Sequence, residues 1–130
     1  MQSKKEKVVF TSAVANASSA PFNAMDDEIV NFTVVGVGGA VTAKVTFLSS
    51  DQFKKPDFTA AASVTNRYTE TTIKDLLSGS AIAGGTGISL AAAGIFRVTL
   101  NDSKGHKWVG AKLDWTAGAI SIWVSTYKLK

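Results

Sequence analysis

The chain has 130 residues, of which 45% are hydrophobic and 18% charged, and this composition is typical of a single globular domain with one hydrophobic core. It contains no cysteine, which excludes a disulfide framework, a thiol nucleophile and a thiolate metal site. The net charge of +4 comes from 12 Lys and two Arg spread over both termini and several loops. A nucleic-acid surface would instead show Arg clustered with aromatic residues on one face, so we expect no specific nucleic-acid partner.

The first 23 residues begin with a basic stretch followed by a weakly apolar one, in the order found in signal peptides. Thr11 and Ser12 interrupt the apolar part, which is already near the minimum length, so we expect no signal peptide and synthesis in the cytoplasm. No run approaches the roughly 18 apolar residues of a membrane-spanning helix, and we expect no membrane partner.

The same stretch, residues 1–23, is rich in small residues and has two interpretations. It is an extended arm that lies across a neighbouring subunit, with Lys4, Lys5, Lys7 and Phe10 as its contacts, or it is simply the first strand followed by a loop.

Apolar and β-branched segments separated by turn residues follow one another along the chain. They predict strands at residues 7–14, 28–38, 40–50, 66–73, 95–101, 108–115 and 119–129. This pattern predicts an all-β fold: one antiparallel β-sandwich of about seven strands over residues 1–130, with barrel-like closure possible.

Three connecting segments are less regular. Gly38 and Gly39 predict a two-residue hairpin turn between the second and third strands. Residues 51–65 have weak periodicity and predict a long excursion between strands, anchored by Phe53 and Phe58. Residues 73–79 could form at most one short helix, which Gly79 would end.

Near the carboxyl end, small residues at 116–119 predict a four-residue hairpin loop in which Gly118 takes a positive φ. Trp115 would then face Ile120 across the hairpin, and a shift by one residue would mix polar and apolar faces. The apolar face, which we assign to the core, carries Leu113, Trp115, Ile120, Ile122 and Val124.

The opposite face of this predicted hairpin carries three aromatic residues beside a cation: Trp108, Trp123, Tyr127 and Lys112. Three explanations remain open for aromatic residues on a polar face. A loop or the amino-terminal arm covers them, a subunit interface buries them, or they form a platform on which sugars stack.

No motif predicts catalysis, a metal site or a cofactor. The GGTG stretch at 84–87 lacks the Lys-Ser/Thr of a phosphate loop, and the single histidine, His106, has no triad around it. The acids at 25–28 are consecutive, whereas a calcium loop spaces its ligands alternately. The other aspartates do not single out a catalytic pair. We therefore expect a protein that is not an enzyme.

Three stretches taken in order, TFLSSD (46–51), IAGGTGISLAAAGIFRVTLND (82–102) and KWVGAKLDWTAGAISIWVSTY (107–127), resemble small β-sandwich virion structural proteins of tailed bacteriophages. The resemblance implies a capsid decoration or auxiliary protein located in the virion. Its partners would be copies of itself and other virion proteins such as the major capsid protein. A neck, tail or fibre component is the alternative within that class, and a carbohydrate-binding module is the alternative outside it.

Overall fold

The computed structural model describes residues 3–24, 29–100 and 107–128. Within these ranges the chain is all-β, has no helix and forms one antiparallel sheet, which confirms the predicted fold class. The strands are β1 (Ser3–Ala13), β2 (Ala17–Ser18), β3 (Phe22–Asn23), β4 (Ile29–Ser50), β5 (Thr69–Glu70), β6 (Ile73–Asp75), β7 (Ala81–Ile82), β8 (Ile88–Leu90), β9 (Gly94–Leu100) and β10 (Trp108–Lys128).

Two long strands, β4 and β10, lie next to each other in the interior of the sheet. They pair antiparallel from Trp108 opposite Ser50 to Tyr127 opposite Ile29. Phe32 and Phe47 are fifteen residues apart in β4, so a straight strand rising ~3.3 Å per residue would separate them by about 50 Å. Their ring centroids are only 4.7 Å apart. The two long strands therefore bend back, and their halves pack face to face as two layers.

Layer A contains the first half of β4 and the second half of β10, with β1 on one side and β9, β6 and β7 on the other. Layer B contains the second half of β4 and the first half of β10, flanked by β2 and β3 on one side and by β5 and β8 on the other. The strand order runs from β1 to β7 without returning to its start, so the barrel-like closure that the sequence allowed is not formed.

The bend occupies four residues in each long strand, at 37–40 and 116–119, and the pairing register shifts there. Gly38 and Gly118 have φ angles of 140° and 90°, values that L side chains rarely adopt. The indole Nε1 of Trp115 donates a hydrogen bond of 2.7 Å to the carbonyl of Gly118. The two glycines permit the backbone angles of the bend, and the Trp115 hydrogen bond stabilises it.

Both predicted hairpins are therefore wrong. The chain does not reverse at Gly38 and Gly39 or at residues 116–119, because β4 and β10 continue through the corner and pair with each other. Trp115 lies opposite Ala43 in β4, and Ile120 lies opposite Gly36.

The main core lies between the layers. Leu113, Ile120, Ile122 and Val124 are buried in it, and Trp115 is half-buried against it. The corner separates Trp115 from Ile120 by four residues, and the chain has changed layers by the time it reaches Ile120. Both positions therefore face inward although they are not paired with each other.

A second apolar contact lies on the outer face of layer B, where residues 51–68 run without a strand. Phe58 is buried there and meets the ring of Tyr68 edge-on at 5.1 Å, whereas Phe53 is exposed. A Cβ at Gly110 would lie 2.8 Å from the Phe58 ring, so the glycine lets this ring rest on β10. Phe58 therefore anchors the excursion as expected, and the prediction for Phe53 is wrong.

The short helix considered near Gly79 is instead β6 followed by a turn. The Asp75 carboxylate accepts a hydrogen bond of 2.8 Å from the Leu77 N–H, and the Asp75 carbonyl accepts another from Gly79. Gly79 has a φ of 77°, so it closes a turn rather than ending a helix.

Candidate functional site

The aromatic residues predicted to share one face lie on opposite sides of the molecule. Val109 is buried, so Trp108 beside it points to the outer face of layer B. Ile122 and Val124 are buried, so Trp123 between them points to the outer face of layer A, as does Tyr127. The strand bend separates the two groups, and a platform of three aromatic rings is not formed.

The Trp108 side of the molecule is covered in part by the chain's own excursion. The Trp108 Nε1 donates a hydrogen bond of 3.0 Å to the carbonyl of Gln52. Lys112, further along the same face, lines a groove with Phe58, Tyr68 and Glu70. For Trp108, the structure therefore corresponds to the explanation in which a loop covers the aromatic side chain.

The outer face of layer A has a different character. Cross-strand partners place Val8, Trp123, Thr33 and Arg97 in one row, and Ser121, Val35 and Ile95 in the next. We call the apolar members of these rows and of the Val37–Ala119 pair at the corner the apolar stripe: Val8, Val35, Val37, Ile95, Ala119 and Trp123.

Half of the apolar stripe is exposed to solvent, and its other members, Val35, Ala119 and Trp123, are half-buried. Val8, Val37 and Ile95 keep 51%, 61% and 68% of their surface exposed. Trp123 is half-buried between its cross-strand neighbours. Exposed apolar side chains grouped on one sheet face are a feature of interaction sites in soluble proteins.

Polar residues border the apolar stripe on the side away from the corner. The adjoining row contains Glu6, Ser125, Asn31 and Thr99. The Ser125 hydroxyl donates a hydrogen bond of 3.4 Å to the Glu6 carboxylate. Tyr127 lies beyond this polar row, so it is separated from Trp123. An apolar centre with a polar border is the usual composition of a protein interface.

The amino-terminal segment pairs with its own chain. Lys4, Lys5 and Lys7 lie in the regular part of β1 opposite β10, and Phe10 packs against the core after a register shift. Ser12 has a φ of 47°, and its N–H donates to the hydroxyl of Ser121. Within this chain, the segment agrees with the second of the two interpretations, a first strand followed by a loop. β1 forms one edge of the sheet.

Two of the segments considered for chemistry, the loop around Asp57 and the GGTG stretch, lie in the described residues. The hydroxyl and the N–H of Thr59 donate to the Asp57 carboxylate and lower its pKa. In the part of the chain that the structure describes, no group of three or more His, Cys, Asp or Glu could hold a metal ion, and no helix could cross a membrane. The GGTG stretch is a turn, with Gly87 at a φ of 59°. His106, Asp102 and the acids at 25–28 lie outside the described residues.

Sequence reasoning did not find the apolar stripe, although a signal was present. Successive side chains in a strand point to opposite faces, so two adjacent apolar residues place one side chain on each face. Val8–Val9, Val34–Val35 and Ile95–Phe96 are such pairs. Each pair lies in a strand of layer A and contributes one member to the outer face.

Comparisons with known proteins identify the fold but not a family. No family model matches the chain, and no curated protein matches it. The SPBc2 prophage-derived protein YomS has a similar structure, with a TM-score of 0.72 and 8% sequence identity, over 98% of this chain and 96% of YomS. The PBSX exported protein XepA is similar with a TM-score of 0.71 and 14% identity over 98% of this chain, which spans only 38% of XepA. Both structural neighbours are phage-derived proteins with the same fold.

Proposed function

We propose that this chain is a non-enzymatic structural protein of a bacteriophage virion, attached to the capsid as a decoration protein in many copies. The observation that carries the proposal is the apolar stripe on the outer face of layer A. The likeness to two phage-derived proteins supports a phage origin.

The apolar stripe suits a protein partner because of its composition. Burying apolar surface contributes about 25 cal/mol per Å², and the exposed parts of Val8, Val37 and Ile95 are available for this purpose. Trp123 adds an aromatic side chain of the type enriched where interfaces are strongest. Arg97, at the β9 end of the Trp123 row, and Glu6, in the adjoining polar row, supply charges that orient a partner.

In this proposal the partners are copies of the chain and a repeated virion protein such as the major capsid protein. In this proposal a single contact through this face has a modest affinity. Repetition over a capsid lattice raises the overall attachment, because a unit held at one contact meets the next at a high effective concentration.

The experiment compares two lysine substitutions of exposed apolar residues. Ile95→Lys places a charge in the apolar stripe, whereas Leu77→Lys places the same charge at a turn residue that is 96% exposed. Both side chains lie outside the core, so both variants should fold. We expect Ile95→Lys to weaken self-association and particle attachment at least tenfold, since tenfold corresponds to only about 1.4 kcal/mol. Leu77→Lys should behave like the unchanged protein.

The measurements are light scattering at micromolar concentration and quantification of the chain bound to purified phage particles. Trp123→Ala should also weaken attachment, and Tyr127→Ala should do so less because it lies beyond the polar row. A chain that is monomeric and absent from particles would refute the proposal. Equal effects of Ile95→Lys and Leu77→Lys would show that the apolar stripe is not the interface.

A further inference from the structure

A groove with a volume of about 270 Å³ lies on the outer face of layer B, between the strands and residues 58–61 of the excursion. The strand register places its lining on the two sides of β4. Lys112 of β10 lies opposite Ser18 of β2, and Glu70 of β5 lies opposite Leu48 of β4. Since β4 runs between β10 and β5, two strand spacings of ~4.8 Å separate Lys112 from Glu70 across the sheet. The groove therefore has a cation on one side and an anion on the other.

The two charges of the groove are not paired with each other. Within the described ranges, neither the Lys112 ammonium nor the Glu70 carboxylate has a hydrogen-bond or ion-pair partner. The Ser18 hydroxyl beside Lys112 is only half-buried, so a ligand in the groove can reach it. A donor, an acceptor and a hydroxyl that can act as either thus line one groove and are available to a ligand.

The remaining lining of the groove is mainly apolar, and its aromatic part is held in place. Leu48 and Phe58, each 2% exposed, form the floor. The half-buried Tyr68 ring meets the Phe58 ring edge-on, and the Tyr68 hydroxyl donates a hydrogen bond of 2.5 Å to the carbonyl of Ala60. These two contacts fix the Tyr68 ring while part of it stays accessible from the groove. A formed pocket with aromatic walls and a few polar groups is the usual composition of a small-ligand site.

The charges and the volume of the groove restrict the class of ligand. Glu70 would repel an anion and Lys112 would repel a cation, so the groove favours a neutral ligand whose groups both donate and accept hydrogen bonds. An α-amino acid carries both charges on one carbon atom, whereas Lys112 and Glu70 approach from opposite sides of β4. The volume is just below the roughly 300–1,000 Å³ of sites for drug-sized ligands and suits one ring with its substituents. A pyranose has hydroxyl groups around its ring and an apolar C–H face, which meets all of these conditions.

We propose that this groove, which we call the Lys112–Glu70 groove, binds a single pyranose ring of a neutral sugar. One sugar hydroxyl accepts a hydrogen bond from the Lys112 ammonium, another donates to the Glu70 carboxylate, and the C–H face of the ring lies against Tyr68. The ring belongs either to a free monosaccharide or to the end of a glycan chain. The three aromatic residues predicted as a sugar platform do not line this groove. The groove and the apolar stripe lie on opposite faces of the molecule, so this inference does not rest on the proposed function.

The experiment is an NMR titration of the full chain with glucose, galactose, mannose and N-acetylglucosamine. We expect at least one of these sugars to give saturable shifts at Lys112, Tyr68 and Glu70, with a dissociation constant on the order of millimolar for so small a ligand. Two control compounds separate the parts of the proposal. Tetrahydropyran has the ring without its hydroxyl groups, and glycine has two opposite charges without a ring. Neither control should give saturable shifts at these residues.

Two variants test the assigned groups. Lys112→Ala and Glu70→Ala should each weaken binding of that sugar at least fivefold, because each removes one of the proposed hydrogen bonds. The matched controls Lys74→Ala and Glu6→Ala remove the same charges from exposed positions on the outer face of layer A, and they should change the affinity less than twofold. Lys112 and Glu70 have no polar partner elsewhere in the described chain, so both test variants should keep a Tm close to that of the unchanged protein.

Longer sugars distinguish the two sources of the ring. Maltose, lactose, mannobiose and chitobiose carry the same four sugars at their non-reducing ends. A disaccharide that binds at least as tightly as its monosaccharide indicates a glycan chain, and weaker binding indicates a free monosaccharide. No binding by any of the sugars, equal shifts with tetrahydropyran or glycine, or unchanged affinity in both Lys112→Ala and Glu70→Ala would each overturn the inference.

Discussion

Replacing Gly118 with alanine should destabilise the fold more than any other single methyl addition at the corner. A Cβ at this position would lie 2.9 Å from Cγ2 of Val41 and 3.1 Å from the carbonyl oxygen of Ala40. The φ of 90° adds backbone strain for any L side chain, of about 1–3 kcal/mol. Overpacking against Val41 costs a similar amount. We expect a loss of about 3 kcal/mol, which lowers the Tm of a domain of this size by about 10 °C.

The matched control is Gly39→Ala, at the same corner. A Cβ at Gly39 has no atom within 4 Å, and its φ lies outside the strained range. The free energy of unfolding of Gly39→Ala should change by less than about 1 kcal/mol, and we expect a small increase. Urea and thermal unfolding should be measured at one protein concentration, because association would otherwise shift the transition. If Gly118→Ala leaves the free energy of unfolding unchanged, or if both variants lower it equally, the strain and overpacking assigned to Gly118 are refuted.

Three further predictions concern layer B and its excursion. Phe58→Ala should cost about 3 kcal/mol in urea unfolding because Phe58 is buried, and exposed Phe53→Ala should cost less than about 0.5 kcal/mol; similar losses would contradict this assignment. Ser19→Ala should cost about 1–3 kcal/mol in the same assay, since the Ser19 hydroxyl accepts a hydrogen bond from a buried backbone N–H of β10; an unchanged midpoint would show that water replaces it. The lowered pKa of Asp57 means that its stabilising bonds are present above the ordinary value of 3.8 and are lost as the pH falls through the lower folded-state pKa. The Thr59 amide signal should therefore titrate with a midpoint below 3.8, and a midpoint at or above that value would contradict the assigned hydrogen bonds.

The local pattern of the sequence predicted which residues are extended and which are buried. Alternation located the strand segments around 7–14 and 95–101, because side chains of a strand alternate between two faces and one face must be apolar. The same rule placed Leu113 and Ile122 in the core, where they are buried. The glycines of the sequence also marked the interruptions at Gly38 and Gly118, since only glycine adopts such φ angles without strain.

The tertiary structure decided what happens at those interruptions. A glycine permits a chain to reverse as a hairpin or to bend as a corner, and in both cases the neighbouring backbone groups find hydrogen-bond partners. The choice depends on which strand lies alongside. β4 and β10, far apart in sequence, pair on both sides of the corner, and the bent pair buries Phe32 against Phe47.

The bend also decided which residues share an outer surface. In a hairpin and in a bent strand alike, Trp108 and Trp123 each point away from the buried residues next to them. Only the hairpin, however, places the two tryptophans on one face. The bend sends them to opposite faces and leaves Trp123 beside Val8 and Ile95 of distant strands. Burial can therefore be read from local alternation in this chain, whereas the composition of a surface depends on long-range strand pairing.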